Sequence, residues 1–208
     1  MMTTADAAAQ ALGRWLDRMA PALLPVLARL VFAAVLAGYF WASALTKLGP
    51  GLLMPSTGAY AQIFPRAFEA VGYDASQLGL WPRLVVLAGT GAEFLLPLLI
   101  IAGLLARLAA LGMIGFILVQ SLTDVIGHGV AGADLGAWFD RFADALILDQ
   151  RVLWTLPLVV IVMMGAGPVS VDRWLRNLRR NQPTDQKTRP ADSNGGDGAV
   201  KPLDFNRK

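Results

Sequence analysis

The sequence predicts an all-α integral membrane protein: a four-helix up-down bundle with amphipathic helices in its outer loops. Three observations carry this. The 208 residues are 55% hydrophobic and 16% charged, with a mean hydropathy of +0.52, whereas soluble domains carry about 25% charged residues. Four mostly apolar runs, at 23–46, 84–105, 108–126 and 152–169, are near the ~20 residues that cross a bilayer. Within them the only charged residues are Arg29, Glu93 and Asp124. Lipid cannot satisfy backbone donors and acceptors, so such runs must be helical. A soluble bundle with four such runs would have too little polar surface to cover them.

Taken in order, residues 1–22 place Leu12, Trp15, Leu16 and Met19 on one helical face. They are expected to form a separate segment along the cytoplasmic surface. The first span follows. Ala42-Ser43-Ala44 has the look of a signal cleavage site, but the apolar stretch before it is long and contains Arg29, which argues for an uncleaved span. In the loop after it, Tyr60, Ile63, Phe64, Ala67, Phe68 and Val71 fall at helical spacing. Spans two and three are separated only by Ala106-Arg107, which predicts an antiparallel hairpin. The second long loop repeats the helical pattern with Trp138, Phe142, Ala145 and Leu146. After span four, Ser170 is a suitable N-cap and Asp172 suits the positive first turn of a basic helix over 170–180. Arg179 and Arg180 at its far end suit anionic headgroups. Residues 181–208, rich in Pro, Gly, Asp and Asn, read as a disordered tail.

Charge gives orientation. With four spans both termini share a side. Arg14, Arg18, Arg107, Arg173, Arg176, Arg179 and Arg180 lie on it, against Lys47, Arg66, Arg83, Arg141 and Arg151 opposite. The bias puts both termini in the cytoplasm. The net charge of +3 comes from the stretch after span four, so no basic face for nucleic acid is expected. The absence of Cys excludes disulfides, c-type haem attachment and Cys-ligated iron–sulfur clusters. With His128 the only histidine, no metal is expected, and no covalently bound cofactor.

Ionisable residues inside a membrane are costly and are functional candidates by default. Helical side chains lean toward the helix N-terminus. Lys47, Glu93 and Asp124 should therefore converge in the outer half of the bilayer, while Arg29 leans toward the cytoplasm as an anchor. Tyr39, Ser43 and Lys47 follow i, i+4 spacing on span one, as do Gln120, Asp124 and His128 on span three. Thr90 lies one turn before Glu93. These two stripes and a buried Glu describe either a polar cavity or groups that merely lock the bundle. In the cavity reading Glu93, Lys47, Asp124 and His128 are candidate catalytic groups. Tyr39, Ser43, Gln120 and Arg83 are candidate binding groups.

The chain resembles the DoxX family of bacterial membrane proteins. The residues that carry this are Arg29, Gly38 and Ala44-Leu45-Thr46-Lys47 in span one, and Glu93 in span two. Gly103-Leu104-Leu105-Ala106-Arg107 at the turn and Gly167-Pro168-Val169-Ser170-Val171-Asp172 after span four complete the set. The resemblance covers about residues 24–175 and implies a four-helix inner-membrane protein linked to redox chemistry. Family members include subunits of a thiosulfate:quinone oxidoreductase, and others are linked to oxidative-stress complexes.

The leading expectation is a membrane subunit of an oxidoreductase that exchanges electrons with quinone, with small sulfur anions or oxidative-stress defence as its context. A partner membrane or periplasmic subunit, or a homo-oligomer, would supply what the chain lacks. The alternative is a non-enzymatic scaffold that anchors or assembles a partner complex in the lipid bilayer.

Overall fold

The computed structural model describes residues 3–51 and 54–180. It is mostly helical. Three helices are long and apolar enough to cross a membrane: α1 (Thr4–Lys47), α4 (Leu80–Ala102) and α5 (Ala106–Gly127). Between α1 and α4 lie a short antiparallel pair, β1 (Leu48–Gly51) and β2 (Met54–Pro55), then α2 (Thr57–Ile63) and α3 (Pro65–Ala70). Helices α6 (Leu148–Met164) and α7 (Val171–Arg180) follow α5.

The core is built where four helices meet. Phe32, Leu36 and Phe40 of α1 pack with Ile100 of α4, Met113 and Ile117 of α5, and Leu158 and Ile161 of α6. Phe40 meets the edges of Phe116 and Trp154. Ala106, Ala109 and Ala110 are buried on α5, small residues that let helices approach closely. The fourth apolar run forms α6, but its 17 residues extend only about 26 Å, less than a hydrocarbon core of roughly 30 Å. It ends at Gly165 rather than at Val169, because Gly165 takes a positive φ of 84°.

Helix α1 does not break near Leu23. It runs 44 residues, about 66 Å, from a capping box at Thr3 and Asp6 to Lys47. The expected surface segment is thus its first part. A π-turn at Ala33–Ala37 inserts extra chain just before Gly38.

The α4–α5 turn falls at Gly103–Leu105, three residues earlier than the apolar pattern indicated. Gly103 takes a left-handed φ of 67°, and a Schellman pair closes α4 by bonds from Gly103 N to Ile100 O and from Leu104 N to Leu99 O. The Asp172 carboxylate then accepts from Leu105 N at 2.9 Å and Ala106 N at 3.2 Å, capping α5 from beyond α6. Ser170 accepts from Arg173 N and so caps its own helix, α7.

The loop between α1 and α4 holds two short helices instead of one, because Pro65 cannot continue α2 and opens α3. Tyr60 and Phe68 are buried with Val86 of α4, joined by Ile63, Phe64 and Val71. The amphipathic helix expected around Trp138 is absent; residues 128–147 are turns and irregular chain. Gly129, Gly132 and Gly136 take positive φ there, and Asp140 Oδ1 accepts from Phe142 N. Such a local bond competes with helix formation. The predicted tail, 181–208, lies outside the described residues.

Candidate functional site

A cavity of about 580 Å³ opens among α1, α2, α4, α5 and α6, at the end of the bundle remote from the α4–α5 turn. Its volume falls in the range of small-molecule sites. One wall is made by Tyr39, Ser43 and Lys47, the stripe that follows the π-turn of α1. Opposite stand Glu93 and Leu96 of α4, with Phe116, Val119, Gln120 and Asp124 of α5. Gly115 also lines it, and a Cβ there would meet nothing within 4 Å, so that face of α5 opens on empty space.

Two ion pairs border the cavity. Lys47 Nζ donates to both Glu93 oxygens at 2.9 Å and to Ser43 Oγ at 2.7 Å, while Ser43 Oγ donates to Glu93 Oε1 at 3.1 Å. Lys47 is only 5% exposed and Glu93 2%. All three ammonium donors are thereby used. The second pair joins Asp124 to Arg151, whose Nη1 also donates to Ser121 Oγ at 2.9 Å. Arg151 is itself buried at the start of α6.

Two polar atoms on this wall lack partners. Among the described residues, Gln120 Oε1 and Arg151 Nε are buried with nothing to accept from or donate to. The other end of the Gln120 amide donates to Tyr39 Oη at 2.9 Å. An unpaired buried polar atom costs about 1–3 kcal/mol, and both atoms are shielded from the open space of the cavity by the groups around them.

Seven of the eight expected site residues line this space. Arg83 does not; it sits exposed on the first turn of α4, nearly three turns from Glu93. Asp124 and His128 are both on the wall but not in contact with each other by any bond. Residues Thr123–Gly127 form a π-turn, in which His128 N bonds to Thr123 O, so the expected one-turn relation is lost. His128 Nε2 instead meets Gln62 O at 3.0 Å. Thr90 turns its hydroxyl onto Val86 O of its own helix.

Residues 24–123 match the sequence model of the DoxX family. Over these residues the chain is a DoxX-family membrane domain. No curated protein and no solved structure matches it. Most of the cavity wall falls within the DoxX region, including Tyr39, Ser43, Lys47, Glu93 and Gln120; Asp124, His128 and Arg151 lie beyond it.

Arg29, also in the DoxX region, is not a headgroup anchor. It donates to Ile100 O and Ile101 O at the end of α4, and to Ala166 O and Val169 O after α6. The guanidinium thus sits where the negative ends of two helices meet. Arg151 was the residue that sequence spacing missed. Its signal was available: Asp124 near the end of one apolar run needs a counter-charge, and Arg151 begins the next.

Proposed function

We propose that this DoxX-family protein is a membrane subunit of an oxidoreductase complex, and that the cavity takes the head of a quinone. The observation that carries the reading is the mostly apolar cavity itself, with Tyr39, Ser43 and Gln120 on its wall beside the two ion pairs. The wall suits the group: Tyr39, Ser43 and Gln120 offer polar side chains to a ring carbonyl or hydroxyl. Leu96, Phe116 and Val119 supply apolar wall for a flat ring. A bound quinone supplies two-electron carriage coupled to two protons. The residues supply polarity and proton-bearing groups. Lys47 is paired with Glu93, and Asp124 lies beside Arg151 within the same wall. In this reading α6 is the fourth crossing, both termini are cytoplasmic, the membrane is the bacterial inner membrane, and a partner subunit exchanges the electrons.

A second reading, a scaffold, draws on the same ion pairs: each closes on its own partner, as a structural lock does. One experiment separates the two. The full chain, with Gln120→Leu as its variant, is titrated with a short-chain ubiquinone in detergent. The variant gives up the amide's bond to Tyr39 Oη, about 1 kcal/mol, but also removes an unsatisfied buried atom, so the fold should change little in stability. The quinone site should nevertheless weaken by about tenfold or more, as loss of a buried polar contact does. Equal binding by both proteins, or no binding by either, removes the quinone reading and leaves the scaffold.

A further inference from the structure

We propose that a second cleft, at the terminus-bearing end of the molecule, is a binding site for the phosphate of an anionic phospholipid. The cleft has a volume of about 750 Å³ and is separate from the cavity described above. Four arginines from three elements line it: Arg18 of α1, Arg107 of α5, and Arg173 and Arg176 of α7. The one acidic residue in its wall is Asp172. Both of that carboxylate's oxygens are already taken by the amides of Leu105 and Ala106. Among the described residues it forms no ion pair with any of the four arginines. Arg107 donates through Nη2 to Met163 O at 3.2 Å, which fixes its guanidinium at the rim. Arg18, Arg173 and Arg176 have no hydrogen-bonding or ionic side-chain partner among the described residues.

The excess positive charge therefore has no protein counter-charge, and an anion completes it. Two features choose a lipid over a free ion. The rest of the wall is apolar or small, with Pro21, Ala22, Leu108 and Met164. The cleft also lies at the ends of spanning helices, where the α4–α5 turn and the start of α7 meet α1. That is the level at which headgroups sit, and basic clefts between helices there hold anionic headgroups. Arg173 and Arg176 are one turn apart on α7, so both can reach one phosphate. Arginine suits this because its planar fork pairs with two phosphate oxygens at once.

The test uses the full chain in detergent and native mass spectrometry, titrated with phosphatidylglycerol and, separately, phosphatidylcholine. Phosphatidylglycerol should be retained in preference to phosphatidylcholine. The variant Arg173→Gln, Arg176→Gln should lose roughly fivefold in affinity per arginine, about 25-fold together. A charge-matched control, Arg14→Gln with Arg179→Gln, removes two charges from the same end but outside the cleft and should lose little. Equal losses in both variants would show diffuse attraction and overturn the site. Displacement of the lipid by millimolar inorganic phosphate would show that a free anion is the ligand and overturn the lipid assignment. Equal retention of the two lipids would do the same.

Discussion

The buried pair of Lys47 and Glu93 makes the sharpest prediction about stability. In Glu93→Gln the Lys47 ammonium stays 5% exposed but loses its counter-charge. It keeps Ser43 Oγ and one amide oxygen as acceptors. Removing one partner of a buried ion pair costs about 3–5 kcal/mol, and the retained acceptors put this variant near the lower end. Lys47→Met strands the carboxylate with only the Ser43 hydroxyl, which places it at about the upper end. The double variant leaves no charge and is expected to lie within ~1 kcal/mol of the parent, since a neutral replacement of such a pair is often tolerated. For a chain of this size ~3 kcal/mol is roughly 6–12 °C in melting temperature. Tryptophan fluorescence during heating in detergent reads it. Two single variants that each shift melting by no more than a degree or two, with the double variant at their sum, would refute a buried coupled pair.

Other consequences are as direct. Gly103→Ala should cost about 2 kcal/mol or more, because φ is 67° and the new Cβ would stand 2.7 Å from Ser170 Cβ and 2.9 Å from Arg29 Cζ; thermal unfolding measures this. Asp172→Ala should cost ~1–2 kcal/mol by uncapping α5, and amide exchange should accelerate at Leu105 and Ala106. The Thr3 backbone and hydroxyl bonds hold the Asp6 carboxyl below the usual carboxylate range. That contribution is in place above the ordinary carboxylate pKa and is lost as pH falls through the lowered one, so protection of the first turn of α1 should fade under acid while α4 and α5 keep theirs.

Much of this architecture was legible because membrane burial writes long signals. Three apolar runs of spanning length gave α4, α5 and the span portion of α1, and two helical stripes gave most of the cavity wall. What could not be read was local. Pro65 splits a helix that side-chain spacing alone made continuous. The π-turn at Thr123–Gly127 separates Asp124 from His128, and no composition rule announces an extra residue in a helical turn. In the second loop, Trp138, Phe142 and Leu146 repeat at helical spacing, yet glycines at positive φ and the Asp140 side chain decide the backbone. Periodicity reports which residues want to be buried, not whether the chain between them can follow a helix. The Arg29 contacts were hidden for another reason: all four acceptors are backbone carbonyls, which leave no residue signature.

Those contacts also impose an order in time. Arg29 is 71 residues ahead of Ile100 and 137 ahead of Ala166. At a synthesis rate of 5–20 residues per second, the last of its acceptors emerges about 7–30 s after the arginine. During that interval the nascent first span carries a guanidinium with no protein partner. It lies six residues into the apolar run that begins at Leu23, close enough to the boundary for its side chain to reach headgroups and water. Lipid and solvent thus hold the charge while the chain is unfinished, and the ends of α4 and α6 take it over. Completion of the fold is then marked by the transfer of one cation from the membrane surface to the protein's own carbonyls.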